Sequence, residues 1–125
     1  YAHPTSNVIR LAERMEALAA ASPLGHDLVV KVLAPGGDYW PLPWYLRHFN
    51  RVGYWDRVPT DADTDVIIAN RAFEPELEPK LRQSYHMDYF GLRADILLLV
   101  YTRQDLWDAF LKTRQGYGQA AGGDR

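Results

Sequence analysis

The residues whose types and spacing could do chemistry crowd into one window, Tyr39-Trp40-Pro41-Leu42-Pro43-Trp44-Tyr45, with Arg47, Phe49, Tyr54, Trp55 and Asp56 close behind. Three of the four tryptophans fall there, so the window concentrates ring surface beside charge. That combination suits a sugar: flat rings take the C–H face of a pyranose, while guanidinium and carboxylate groups take its hydroxyls. Asp38, Tyr39, Trp40, Trp44, Arg47 and Trp55 are therefore the candidate ligand-binding residues. The opposing account is packing, because aromatic side chains bury roughly 150–250 Å² each and commonly fill a core or an inter-domain contact.

Other patterns fail on their own chemistry. Pro35-Gly36-Gly37-Asp38 follows an apolar run as a phosphate loop does. It lacks both the Lys-Ser/Thr pair and the third glycine, and its proline spoils a helix start. A tight turn is expected instead, with Asp38 as a cap. Asp61, Asp63 and Asp65 imitate the first ligands of a calcium loop, but Val66 stands where glycine is required and Ala72 where a bidentate glutamate belongs. A solvated acidic loop is expected there.

His3, His26, His48 and His86 are scattered without metal-ligand spacing, and no Gly-x-Ser-x-Gly elbow occurs. Glu74 and Glu76 fall in a proline-broken stretch that offers no tuned acid/base pair. The expectation is a chain without a catalytic centre, metal site or cofactor of its own.

The elements that must position the window are legible from periodicity. Val8, Leu11, Ala12, Met15, Leu18 and Ala19 recur at helical steps after Thr5 or Ser6, with Arg10, Glu13, Arg14 and Glu16 on the other side. Ser22-Pro23 and Gly25 end that helix. Leu28–Leu33 reads as a buried strand, and Pro43 starts a short helix towards Phe49. Val52–Trp55 and Val66–Ala69 read as strands around a polar loop, Pro59–Thr64. Glu74–Arg82 reads as a short or broken helix.

Tyr85–Phe90 and Ala94–Tyr101 read as a hairpin joined at Gly91-Leu92-Arg93. A last helix is capped by Thr102 with Asp105 three residues on, carries Leu106, Trp107, Phe110 and Leu111, and stops at Gly116. The expected fold class is a small α/β domain of two or three layers, Rossmann-like, with a mixed sheet of about five strands and a C-terminal antiparallel hairpin. Residues 1–116 form the domain and 117–125 a flexible tail.

Bulk properties bound the function. The 125 residues are 47% hydrophobic and 24% charged, which suits one globular core. A net charge of -2 lacks the basic footprint of a nucleic-acid binder, so no nucleic-acid partner is expected. There are no cysteines, which removes disulfides and thiolate chemistry. The apolar run Ile96–Tyr101 is far shorter than the roughly 20 residues that span a bilayer. The chain opens on Tyr1 without a signal-like segment, and is expected to be a fragment of a longer protein.

The opening Tyr1-Ala2-His3-Pro4-Thr5-Ser6, the helix after it, the segment Asp38-Tyr39-Trp40-Pro41-Leu42-Pro43-Trp44-Tyr45-Leu46-Arg47 and Gly53-Tyr54-Trp55 form a pattern together. Over about residues 1–112 it resembles the C-terminal soluble region of bacterial and archaeal GT-C type membrane glycosyltransferase-like proteins. These are similar to dolichyl-phosphate-mannose–protein mannosyltransferases, in the branch called flippase-activity-associated.

The resemblance implies an extracytoplasmic (periplasmic) domain, attached to an upstream transmembrane region of the parent chain that handles lipid-linked sugar. It places the catalytic carboxylates in the membrane part, so no catalytic residue carries over to this chain. On this view the domain packs on or gates the membrane active site and touches a glycan or lipid-linked sugar. The alternatives are a stand-alone carbohydrate-binding module and a dimerisation module whose rings pack on a partner.

Overall fold

The computed structural model describes residues 6–37, 42–93 and 96–122. Its elements run α1 (Ser6–Ala21), β1 (Val29–Leu33), α2 (Leu42–Tyr45), β2 (Arg51–Trp55), β3 (Val66–Asn70), α3 (Glu74–Leu77), β4 (Tyr85–Arg93), β5 (Ile96–Arg103) and α4 (Gln104–Gly122). Short 3₁₀ turns at Arg71–Phe73 and Glu78–Lys80 extend α3 on both sides. The chain is thus a mixed α/β domain on an open five-stranded sheet of order β2-β1-β3-β5-β4.

Strands β1, β2 and β3 are parallel, β5 runs antiparallel to β3, and β4 runs antiparallel to β5. Connection length explains the change of sense. The short link after β4 permits only an antiparallel return, whereas the stretches between β1, β2 and β3 are long enough to cross back over the sheet.

Two-residue alternation sorts the side chains into two layers. Val30, Val32, Val66, Ile68, Phe90, Leu98 and Val100 face a front layer, where they meet Val8, Leu11, Met15 and Leu18 of α1 and Leu106 and Phe110 of α4. Leu42, Leu46 and Phe49, from α2 and the turn after it, close that layer over β1. The rear layer is thinner: Leu33, Ile67, Ala69, Leu99 and Tyr101 are covered by Leu77 of α3 and by Val58 and Ala62 of the β2–β3 loop.

The helix expected after a cap at Thr5 or Ser6 runs from Ser6, and Val8, Leu11, Met15, Leu18 and Ala19 of its apolar stripe are buried. Three local expectations are corrected. Strand β4 runs on through Arg93, past the turn expected at Gly91-Leu92-Arg93, because a register irregularity between Gly91 and Arg93 absorbs the break. Thr102 does not cap α4. It is buried in β5 opposite Val66 and His86, and sheet pairing wins over the cap. Helix α4 also continues past Gly116 to Gly122, since Gly116 and Gly118 each cost a helix only about 1 kcal/mol and do not forbid it.

The tight turn expected after β1 is present. Gly36 and Gly37 take φ of 66° and 74°, a region that favours glycine, and the Gly37 N–H donates to the Ala34 carbonyl at 3.2 Å. This turn leaves the carboxyl end of β1 where the strand order reverses between β1 and β3. In open α/β sheets that crevice is the usual ligand position.

Candidate functional site

Helix geometry fixes what α2 shows to solvent. Leu42 and Leu46, four residues apart, are both buried, so Trp44 and Arg47 fall on the opposite side. Trp44 is 54% exposed, a large value for a tryptophan. The Arg47 guanidinium lies 3.8 Å from the Trp44 ring centroid and donates from Nη1 to the Trp44 carbonyl oxygen at 2.8 Å. The arginine is thus stacked and anchored at once, which holds the indole in place.

Trp55 lies in the other layer. Paired with Leu33 at the end of β2, it packs against the rear cluster. Its ring folds back over Gly53 so closely that a Cβ there would sit 2.4 Å from Trp55 Cη2. The Lys31 ammonium, 5.7 Å from the ring centroid, covers it from β1 and also donates to the carbonyls of Asp61 (2.5 Å) and Asp63 (3.4 Å). Neighbouring Tyr54 faces the front layer, where burial raises its hydroxyl pKa. Of the candidate residues, then, Trp44 and Arg47 are brought together and Trp55 is on the opposite side of the sheet. Asp38, Tyr39 and Trp40 lie outside the described residues.

A second constellation was not visible in the sequence. Arg14 of α1 lies at the border of its apolar stripe, and the sequence assigns it to the polar side. Its Nη1 instead donates to Asp88 Oδ2 of β4 at 2.5 Å. Its guanidinium carbon stands 4.9 Å from the Trp107 ring centroid and 5.5 Å from those of Phe90 and Phe110. Trp107 in turn stacks on His86 at 3.7 Å with the planes 5° apart.

The His86 Nε2 is buried and approaches Asp88 Oδ2 to 3.2 Å without the direction of a hydrogen bond. A cleft of about 270 Å³ opens beside this group between Arg10, Glu13, Phe90 and Phe110. Thr102 lies opposite His86 on β5, and among the described residues its buried hydroxyl, like His86 Nε2, has no hydrogen-bond partner. The ion pair and the ring stack fasten α1, β4 and α4 together. The only signal in the sequence was the two-residue spacing of His86 and Asp88, which puts them on one face of β4.

The acidic loop is not simply solvated, which corrects the sequence expectation. Asp63 accepts from the backbone N–H of Arg82 (3.0 Å to Oδ2) and Gln83 (3.2 Å to Oδ1) and from the Tyr85 hydroxyl (2.9 Å). Asp65 accepts from the Val29 N–H at 2.9 Å and pairs with Arg103. Both carboxylates are used within the fold, and Asp63 also lines a 480 Å³ cleft bordered by Lys80 and Arg82. Among the described residues, no group of three or more histidines or carboxylates is arranged to hold a metal.

These bonds carry a pH dependence. Burial raises the Asp63 pKa, but the Arg82 and Gln83 amides, the Tyr85 hydroxyl and the Arg82 charge outweigh it, and the net shift is downward. Asp105 is also lowered, first by its hydrogen bond from Arg103. A carboxylate with a depressed folded pKa stabilises the fold above its unfolded pKa of about 4, and that stability is lost as pH falls through the folded value. Urea unfolding at pH 7 and pH 3 should therefore show a smaller acid loss for Asp63→Asn than for the unchanged chain. Equal losses would remove Asp63 from the account.

Compared with known proteins, the chain matches no family model, no curated protein sequence and no solved structure.

Proposed function

We propose that this chain is a non-catalytic accessory domain of an integral membrane glycosyltransferase-like protein that uses lipid-linked sugar. In this reading it stands on the extracytoplasmic side, packs on or gates the membrane active site, and presents Trp44 to a glycan or lipid-linked sugar. The sequence resemblance supplies the parent class. The observation that supports the contact is the exposed indole of Trp44, braced by Arg47 at 3.8 Å.

A braced ring loses little freedom on stacking against a pyranose, and the remaining N–H groups of Arg47 suit hydroxyl or phosphate oxygens. Asp38, Tyr39 and Trp40, which follow β1 and its turn in the sequence, belong to the same proposed contact.

The test is intrinsic tryptophan fluorescence of the chain, titrated with pyranose oligosaccharides and with vesicles carrying a polyprenyl-phosphate sugar. A saturable change is expected, and Trp44→Ala should weaken it by about tenfold or more, as loss of an anchoring aromatic does. The unfolding midpoint should hardly move, because Trp44 is exposed. Silence across both sets of probes, or unchanged affinity in Trp44→Ala, overturns the reading.

A further inference from the structure

We propose that the outer edge of β4 pairs antiparallel with β4 of a second copy of this chain, across a two-fold axis at Met87, so that the two five-stranded sheets become one. Strand β4 ends the sheet order and is its longest strand, at nine residues. It pairs with β5 alone, and among the described residues no backbone bond ties its other side. That leaves a row of donors and acceptors roughly 30 Å long at about 3.4 Å per residue.

Edges of this kind are normally blunted by proline, lysine or a bulge. No proline or lysine occurs from 85 to 93, and the irregularity at Gly91/Arg93 leaves 85–90 regular. The carboxylate on this stretch, Asp88, is already paired with Arg14 of its own chain, which blunts it as a repelling charge.

The side chains select the register. With the axis at Met87, His86 faces Asp88 of the partner subunit, and Tyr85 faces Tyr89 of the partner subunit. With the axis at Asp88 the two carboxylates would oppose each other directly, which is destabilising. Tyr89, 56% exposed on the rear face, is the most exposed large hydrophobic residue described, and this register covers it with a second ring. The other edge strand, β2, has only five residues.

The chain has no cysteine, so introduced ones report the register cleanly. Light scattering and sedimentation of the full 125-residue chain should show a concentration-dependent dimer. In Met87→Cys the dimer should be trapped by a short bis-maleimide. A mixture of Tyr85→Cys and Tyr89→Cys chains should cross-link to each other far faster than either does to itself.

Tyr89→Lys should weaken dimerisation by about tenfold or more, through loss of two aromatic pairs, and leave the unfolding midpoint in place at concentrations where both chains are monomeric. A monomer at every concentration overturns the proposal. So does a dimer that Met87→Cys does not trap, one that Tyr89→Lys leaves intact, or one that Trp44→Ala dissolves.

Discussion

Ile68→Ala should lower the unfolding free energy by about 4 kcal/mol and Ile67→Ala by about 2–3 kcal/mol, although both isoleucines are completely buried on β3, an internal strand of the sheet. The chemistry removed is the same, so the difference lies in the walls. Ile68 faces the front layer, where α1 and α4 are long and cross-packed and leave a cavity that cannot close. Ile67 faces the rear layer, whose cover is the four residues of α3 and a loop carrying Val58 and Ala62. Short segments of this kind shift inward at lower cost, and a collapsed cavity costs less than a rigid one. Urea unfolding of the two variants under one set of conditions checks the order. Equal losses would mean that the rear cover is as stiff as the helices, and a larger loss for Ile67→Ala would reverse the layer assignment.

The same contrast marks what the sequence could show. Helix α1 and strands β1 and β3 were legible because their apolar spacing is local: three- and four-residue steps in one case, branched runs bounded by glycine and proline in the others. The mixed sheet and its terminal hairpin followed from counting those elements. What was not legible depends on partners distant in the chain. Arg14 borders the stripe of α1, and only the arrival of Asp88 on β4 turns it inward.

Asp63 and Asp65 look alike in an acidic loop, yet each is consumed by backbone amides far along the sequence, at Arg82 and Gln83 for one and Val29 for the other. The aromatic window shows the limit most sharply. Ring type and density pointed to one surface, but strand alternation carries Trp55 to the rear while the turn of α2 carries Trp44 outward from the front. Gly53, which lets the Trp55 ring lie flat on β2, was the one local hint of that separation.

Asp65→Ala should cost about 3 kcal/mol, and Asp65→Asn about half as much. Asp65 sits immediately before β3 and is almost fully buried. One carboxylate oxygen accepts from the Val29 N–H at the start of β1, and the other pairs with Arg103 at the end of β5. Its own carbonyl accepts from the Arg103 N–H at 2.9 Å. A single side chain therefore clasps the two strands that flank β3. Alanine leaves the Val29 amide unsatisfied, but Arg103 keeps Asp105 at 2.6 Å and is 33% exposed, so the loss belongs at the low end for a broken buried pair.

Asparagine keeps an oxygen for Val29 and gives up only the charge. Added salt screens the ionic part alone, so it should narrow the gap between the unchanged chain and Asp65→Asn while leaving the gap between the two variants as it was. Urea midpoints at low and high salt measure both gaps. A loss below about 1 kcal/mol in Asp65→Ala would place the clasp elsewhere, because surface substitutions already reach half that size without breaking anything.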